Sequence, residues 1–291
     1  MELCCNQVSR SFGKKQVLKD FSLTLKTGHT YGLLGRNKAG KTTLLNLVTS
    51  RLLPDSGEIT LDGAPIYENI DALKKICYMA DQITGFQNLT IGEIFGMAKR
   101  TYPNWDEEKK EKLVTRFDLP SSGKYRTLSK GTKTLIGIVI GLASGCPFVF
   151  FDEIYSGLDT INRKHFYELL LKEQEEQERA FLLSSHLIEE MDYLFTDILI
   201  LKDGALLLEQ TQEEVQEKAL LLSGRKDRIL PLLDEYQISV LAEQPMGGLT
   251  QFTLYATLTS KQQEAFAAAG ASLSPASLSD LFIALLQEGD A

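Results

Sequence analysis

The sequence has few cysteines, no long apolar run and no excess of positive charge. Its four cysteines have neither a C-x-x-C pattern nor metal-ligand spacing, which is typical of reduced thiols in a cytosolic protein. The apolar runs are far below the ~20 residues that a membrane-spanning helix needs. Residues 1–10 lack the apolar segment of a secretory signal. We therefore expect a cytoplasmic chain that does not cross a membrane by itself.

The charge balance is acidic. The 291-residue chain has a formal net charge of −8 at pH 7 and 43% hydrophobic residues, an ordinary fraction for a globular protein. Because nucleic acids attract basic surfaces, this balance argues against nucleic acid as the main partner, although it leaves room for a local basic site. The length suits one large domain and one small domain.

Short buried strands alternate with helical segments in the first 219 residues. TYGLLG, PFVFFD and AFLLSSH are continuous apolar runs, and long helical segments follow the first two, at KTTLLNLVTSRLL and at 162–177. This alternation predicts an α/β fold with a three-layer core. The alternating pattern of residues 1–60 predicts an N-terminal antiparallel β subdomain. DILILKDGALLLEQ predicts a hairpin that turns at Lys-Asp-Gly.

Two other regions complete the expected organisation. Residues 85–143 are mostly helical and include the amphipathic segment NWDEEKKEKLVTRFDL, with Asn104 as its expected N-cap. Beyond residue 219 the pattern changes to strand-like runs, QISVL and TQFTLYATL, and two helices. One face of the last helix contains Leu278, Leu281, Phe282 and Leu285. We therefore predict a main domain at 1–219 and a small α+β accessory domain at 220–291.

GRNKAGKTT, residues 35–43, fits the phosphate-loop pattern G-x-x-x-x-G-K-[ST]. It lies between an expected strand and an expected helix, whose N-terminus favours an anion. Lys41 is expected to contact the β- and γ-phosphates, and Thr42 to offer its hydroxyl to Mg²⁺. The nucleotide-binding residues predicted in this loop are Gly35, Asn37, Gly40, Lys41, Thr42 and Thr43.

Polar residues stand at the ends of two other expected strands, FVFFD and AFLLSS. Asp152 ends FVFFD and can hold Mg²⁺ through water, and Glu153 can polarise an attacking water. Acidic pairs at strand ends are also common without catalysis, but the phosphate loop favours the catalytic interpretation. His186 follows AFLLSS at the same edge of a parallel sheet, where a γ-phosphate contact is expected. A histidine after a strand is otherwise more often structural.

TLSKGTKT, residues 127–134, is a second polar helix start. Its LSKGT resembles the signature of the ATP-binding cassette family, usually written L-S-G-G-Q. The order of phosphate loop, helical insert, signature, FFDE, SGLD and histidine is similar to that family over residues 2–215. The resemblance implies that Ser129 and Gly131 act on ATP bound by a second, head-to-tail cassette. It also implies a D-loop role for Asp159 and adenine stacking for Phe12.

Several positions depart from the family pattern. They are Lys38, Lys130, Thr132 and Ile154, where the family usually has Gly, Gly, Gln and Pro. Lys130 either adds charge at the trans phosphate site or points to solvent. In the segment that resembles the Q-loop, Asp81 occupies the glutamine position and Gln82 follows. Gln82 is the favoured Mg²⁺ contact, with Asp81 as the alternative.

The resemblance implies an ATPase subunit of a membrane ABC transporter, with ATP and Mg²⁺ as cofactors. A transmembrane permease would supply the pathway and dock at residues 85–125, holding the subunit at the inner face of the membrane. The second cassette would be another copy or a paralogous ATPase. WDEE, FDL, LSKG and SLSDLFIALL resemble the bacterial drug and antibiotic-export branch. The alternatives are a soluble cassette ATPase acting on ribosomes or DNA, and a nucleotide-sensing regulator.

Overall fold

The computed structural model describes residues 1–80, 85–176, 178–185 and 188–287. The chain forms two compact units, of which the first comprises Met1–His186 and Leu194–Glu209. The second comprises Leu187–Tyr193 and Gln210–Ala291. The domain boundary at residue 220 stays a prediction. None of the helices in the described ranges is long and apolar enough to cross a membrane.

The first unit contains two sheets and the helices around them. The strands that form these sheets are β1 (Glu2–Phe12), β2 (Lys15–Lys26), β3 (Thr30–Gly35), β4 (Ser56–Leu61), β5 (Ala64–Pro65), β6 (Ile76–Ala80), β7 (Phe148–Asp152), β8 (Ala180–Ser185), β9 (Asp197–Lys202) and β10 (Ala205–Thr211). The α-helices are α1 (Lys41–Val48), α2 (Ile70–Leu73), α3 (Ile91–Thr101), α4 (Glu107–Arg116), α5 (Lys130–Ala143) and α6 (Thr160–Glu176). Short 3₁₀ turns cover Tyr125–Thr127 and Ile154–Gly157.

The larger sheet has six strands in the order β10-β9-β3-β8-β7-β6. Strands β9, β3, β8, β7 and β6 pair in parallel. Every residue of β3, β7 and β8 is buried, as expected for a parallel sheet that is covered on both faces. The α/β prediction is confirmed. Because the strands are parallel, β3, β7 and β8 all end at one edge of the sheet, and this edge carries Asp152 and Glu153 at the end of β7.

The smaller sheet is the predicted antiparallel β subdomain. Its order is β2-β1-β4-β5, and β1 pairs antiparallel with both β2 and β4. Apolar residues from this sheet, from α1 and from the larger sheet share one core; examples are Val8, Phe21, Leu45 and Phe150. The smaller sheet therefore packs beside the helix that follows the phosphate loop.

Two local predictions have different outcomes. The β9–β10 hairpin turns at Asp203 and Gly204, whose φ angles of 49° and 81° suit a two-residue hairpin turn. The expected N-cap of α4, Asn104, is wrong. The cap is Asp106, whose carboxylate accepts a hydrogen bond from the Lys109 amide at 2.8 Å. Both Asn104 and Asp106 are residue types that cap helices, but the positive N-terminal end of the helix dipole also favours the negative charge of Asp106.

The second unit is α+β. Its strands β11 (Ala219–Gly224), β12 (Val240–Met246), β13 (Leu249–Tyr255) and β14 (Ser272–Pro275) form a sheet in the order β12-β13-β11-β14. Its α-helices are α7 (Ile188–Met191), α8 (Gln212–Lys218), α9 (Lys226–Glu235), α10 (Ser260–Ala268) and α11 (Leu278–Gln287). Its core includes Leu222, Ile229, Phe252 and Phe266.

The prediction of two helices in residues 220–291 is wrong, because the described residues there form three, α9 to α11. Pro231 lies inside α9 and weakens the helical signal of that segment, since proline cannot donate the helical hydrogen bond. Helix α11 has the predicted apolar face, with Leu278, Leu281 and Leu285 buried and Phe282 partly buried.

Candidate nucleotide site

The phosphate loop connects β3 to α1 by a path that leaves no room for side chains at its two ends. A Cβ atom on Gly35 would lie 2.8 Å from the carbonyl oxygen of Leu201. Gly40 has a φ of 114°, and a Cβ atom there would lie 3.0 Å from the Leu18 side chain. Glycine is therefore required at both ends by close packing against β9 and β2, and at Gly40 also by the left-handed backbone.

Lys38 has a left-handed backbone in the middle of this loop, with a φ of 73°. For a residue with a side chain, this conformation costs roughly 1–2 kcal/mol relative to the right-handed one. Lys38 occupies a position where the family that the sequence resembles usually has glycine. The loop keeps its path despite this substitution, at a local cost in backbone energy.

Lys41 is the buried cation of the loop. Its Nζ donates a hydrogen bond to the Gly35 carbonyl oxygen at 2.6 Å. Burial lowers the pKa of Lys41, while the nearby carboxylates of Glu153 and Asp152 act in the opposite direction and favour the charged form. The ammonium group is thus held by the loop and lies within electrostatic reach of the acidic pair.

A cavity of about 290 Å³ is formed over this loop. Its lining includes Phe12, Lys15, Val17, residues 37–43 and Glu153. The fold therefore brings together the aromatic residue, the phosphate loop and the acidic residue that the sequence predicted for one nucleotide site. The individual roles of these residues stay predictions.

The Phe12 ring is 47% exposed at this cavity. The Arg10 guanidinium carbon lies 5.0 Å from the ring centroid, and its Nη1 is 2.8 Å from the Asp55 Oδ1. Asp55 also accepts a hydrogen bond from the Ser11 amide at 2.6 Å. Arg10 and Asp55 were not predicted as site residues, because nothing in the sequence pairs a strand residue with an aspartate 45 positions later.

Asp152 is buried and hydrogen-bonded at both carboxylate oxygens. The Tyr78 hydroxyl donates to Oδ2 at 3.1 Å, and the Ser184 hydroxyl donates to Oδ1. Burial raises the pKa of the Tyr78 phenol, and the Asp152 charge raises it further, so the phenol stays a neutral donor. Glu153 follows with a φ of 51°, which turns the chain away from the strand direction.

Sequence reasoning missed Tyr78 and Ser184. Both belong to mainly apolar strands, ICYMA and AFLLSS, in which one tyrosine or two serines form no recognisable motif. The signal that could have found them is strand register. Asp152 has two register partners, Ser184 on β8 and Ala80 on β6. Tyr78 lies two residues before Ala80 on β6.

A second cavity, of about 420 Å³, lies at the start of α5. Ser129 caps this helix, and its Oγ accepts a hydrogen bond from the Thr132 amide at 3.1 Å. Gly131 and Asp159 also line this cavity. Hydrogen bonding to the Asn162 backbone amide is the main reason that the pKa of Asp159 is lowered. The signature-like and D-loop-like residues therefore meet at a cavity whose lining shares no residue with that of the phosphate-loop cavity.

The start of α5 packs tightly on the turn that follows β7. A Cβ atom on Gly131 would lie 2.9 Å from the Gly157 carbonyl oxygen. The Lys130 Nζ donates a hydrogen bond to the Ser156 Oγ at 3.2 Å. Lys130 is exposed, and the choice between a trans phosphate site and solvent for its side chain stays a prediction.

Three residues with predicted roles lie outside the described residues. They are Asp81, Gln82 and His186. The choice between Asp81 and Gln82 for Mg²⁺, and the γ-phosphate contact of His186, stay predictions.

The fold, with a glycine-rich loop between a buried strand and a helix, is that of a P-loop NTPase. Comparisons with known proteins narrow this class. The family model described as ABC transporter matches residues 18–156. The ABC transporter ATP-binding protein YtrB of Bacillus subtilis is 30% identical over 238 residues, which cover 79% of this chain and 82% of YtrB. The chain therefore belongs to the ABC transporter family, as an ATP-binding subunit and ATPase.

Two other relatives differ in the transport that their names describe. The doxorubicin resistance ATP-binding protein DrrA of Mycobacterium tuberculosis is 28% identical over 231 residues, covering 75% of this chain and 68% of DrrA. The taurine import ATP-binding protein TauB of Pseudomonas putida is 31% identical over 188 residues, covering 64% of this chain and 71% of TauB. Relatives thus include both a drug-resistance protein and an importer subunit.

Solved structures share the fold. An ATP-binding subunit of an ABC transporter has a TM-score of 0.67 and 23% identity, covering 74% of this chain and 92% of that one. The dimeric cassette MJ0796, in a post-hydrolysis state bound to ADP and Pi, has a TM-score of 0.61 and 20% identity, covering 72% of this chain and 98% of that one.

The cofactors of this family of ATPases are ATP and Mg²⁺, and the residues at the first cavity fit both. Lys41 is a cation for phosphate, Phe12 an exposed residue for a base, and the Thr42 hydroxyl an oxygen donor of the kind that Mg²⁺ prefers. The Asp152 carboxylate, which is outside the cavity lining but whose charge acts on Lys41, is a second such donor.

Proposed function

We propose that the chain is the ATP-hydrolysing subunit of a membrane exporter and works as a head-to-tail dimer with two composite ATP sites. The observation that carries the proposal is the separation of two cavities within one chain. The phosphate-loop cavity contains Lys41 and Glu153, and the other contains Ser129, Gly131 and Asp159. Each cavity is half of an ATP site, and a second cassette in the opposite orientation completes both.

The first half-site binds the nucleotide and prepares water. The Phe12 ring stacks on the base, and Lys41 neutralises the β- and γ-phosphates. Mg²⁺, bound with the nucleotide, neutralises charge on the phosphates. The Thr42 hydroxyl and the Asp152 carboxylate hold it. Glu153 orients and polarises the water that attacks the γ-phosphate.

The second half-site stabilises the charge that develops on the γ-phosphate. Ser129 contributes a hydroxyl, and α5 contributes the positive end of its dipole. This group is absent from the phosphate-loop cavity of the same chain, as far as the described residues show. Binding is therefore a property of one chain and fast hydrolysis a property of two. The dimeric form of the related fold MJ0796 supports this arrangement.

Members of this family work with transmembrane subunits. We propose that such a permease docks at residues 85–125 and holds the ATPase at the inner face of the membrane. Export is supported by the match to DrrA, which extends over more of this chain than the match to the importer subunit TauB.

The test of this proposal has two parts. The tagged chain is expressed in its own host with Glu153→Gln, which slows release of a closed complex, and the co-purifying membrane protein is identified. The wild-type ATPase and this membrane protein are then reconstituted together in vesicles with the ATPase outside. Export requires ATP-dependent accumulation of substrate inside these vesicles, whereas accumulation only when ATP is enclosed, with the ATPase inside, identifies an importer. Co-purification with ribosomes or DNA in place of a membrane protein contradicts the transporter role.

A further inference from the structure

The Asp152 carboxylate is held by side chains from the strands on both sides of its own. Strand β7 lies between β6 and β8, and the register partners of Asp152 are Ala80 and Ser184. Tyr78 lies two residues before Ala80 and so projects from the same face of the sheet. Its hydroxyl reaches Oδ2 at 3.1 Å, while the Ser184 hydroxyl reaches Oδ1.

The same serine also holds the next residue. The Glu153 amide donates a hydrogen bond to the Ser184 Oγ at 3.0 Å. One hydroxyl therefore donates to the side chain of Asp152 and accepts from the backbone of Glu153. Ser184 is fully buried and Tyr78 is nearly so, which leaves little access for water to replace these bonds.

We propose that Tyr78 and Ser184 are positioning residues for ATP hydrolysis, because together they fix the Asp152 carboxylate and the Glu153 backbone. The inference rests on the proposed function, in which Asp152 holds Mg²⁺ through water and Glu153 polarises the attacking water. Neither positioning residue belongs to the lining of the phosphate-loop cavity. With one lone pair on each oxygen already engaged, the carboxylate presents its remaining lone pairs in a fixed direction.

A purely structural role would have a different signature. Hydrogen bonds that only join strands contribute to folding stability, and their loss leaves metal affinity unchanged. Tyr31 offers the matched control, because it is a buried tyrosine of the same sheet whose hydroxyl accepts a hydrogen bond from the Lys26 amide at 2.8 Å. Tyr31→Phe removes the same atom from the same sheet without touching Asp152.

The experiment measures metal binding apart from turnover. Mn²⁺ binding is followed by electron paramagnetic resonance for the full chain with a non-hydrolysable ATP analogue. We expect Tyr78→Phe and Ser184→Ala to weaken Mn²⁺ binding about 10- to 100-fold, the usual effect of removing a partner of a metal-binding carboxylate. Binding of the analogue in EDTA should stay within about twofold of wild type, as should Mn²⁺ binding by Tyr31→Phe. Asp152→Asn is the reference for complete loss.

If Ser184→Ala does not fold, Tyr78→Phe alone tests the positioning role. It removes one oxygen and keeps the ring, whose centroid lies 4.4 Å from the Arg51 guanidinium carbon. If Asp152→Asn loses Mn²⁺ and Tyr78→Phe binds it like Tyr31→Phe, the positioning role is wrong and the proposed function stands. If Asp152→Asn binds Mn²⁺ like wild type, the metal role of Asp152 is wrong, and the positioning role is overturned with it.

Discussion

The Arg10 guanidinium carbon lies 5.0 Å from the centroid of the Phe12 ring, and the Asp55 carboxylate holds Arg10 in place at 2.8 Å. A cation over one face of an aromatic ring is attracted to the ring's electrons. This attraction restrains the ring and leaves its opposite face available to a ligand. Asp55 also fixes the backbone of Ser11, between the two side chains. The exposed ring is thus held by a short chain of contacts rather than by burial.

We expect Arg10→Ala to weaken ATP binding about two- to fivefold, the worth of an exposed cation–π contact. Arg10→Lys should restore most of the loss, because it keeps a cation. The affinity for inorganic tripolyphosphate should not change, since that ligand has no base to stack. Calorimetric titration with both ligands checks this, and an equal loss for ATP and tripolyphosphate would show that Arg10 acts on the phosphates or on folding.

Lys41→Ala should reduce ATP affinity roughly a hundredfold or more, because hydrogen bonds to charged phosphates contribute about 1.5–3 kcal/mol each. Binding of a fluorescent ATP analogue measures the effect. Lys19→Ala, which removes an exposed lysine outside the cavity lining, is the control. Near-normal affinity of a folded Lys41→Ala protein would refute the phosphate site.

Glu153→Gln should bind ATP with near wild-type affinity and hydrolyse it about 10²–10⁴ times more slowly, the usual cost of losing a general base. Glutamine has a similar size and can keep the left-handed backbone of this position. Steady-state phosphate release gives the rate, and Glu213→Gln at an exposed site is the control. Turnover within twofold of wild type would assign the water-polarising role to another residue.

Mixing two inactive variants tests whether catalysis is shared. Ser129→Arg places bulk at the helix cap and should spare ATP binding while it suppresses hydrolysis. In a mixed dimer with Lys41→Ala, one composite site has both lesions and the other has neither, so mixing should restore part of the activity. No rescue would indicate a different partner ATPase. Normal hydrolysis by Ser129→Arg would contradict the signature role of LSKGT and leave it only the role of a helix cap.

Lys38→Gly should stabilise the protein by about 1 kcal/mol, because glycine adopts the left-handed backbone at 73° without the cost that lysine has there. Lys19→Gly is the matched control, since the same change within β2 should instead destabilise by roughly 0.5–1 kcal/mol. Urea unfolding of both variants provides the comparison. Destabilisation by Lys38→Gly would mean that the lysine side chain makes contacts that outweigh backbone strain.

Sequence predicted what depends on local pattern, such as the strand–loop–helix around Lys41 and the hairpin at Asp203. Residues close together in the chain determine these features: apolar runs form the buried strands, glycines allow the tight phosphate loop, and Asp-Gly favours the hairpin turn. It did not predict Tyr78 or Ser184, because their partner Asp152 is 74 and 32 positions away and only strand register brings them together. The number of helices in residues 220–291 was predicted one too low, and Pro231 inside α9 is a local reason for a weak helical signal there.

The close packing of Gly131 on Gly157, with Lys130 bonded to Ser156, has a thermodynamic consequence. A nucleotide that contacts the start of α5 would also act on the turn leading to Asp159, because the two segments are closely packed and hydrogen-bonded to each other. In a head-to-tail pair, occupancy of one site therefore changes the free energy of occupancy at the other, and the effect is reciprocal.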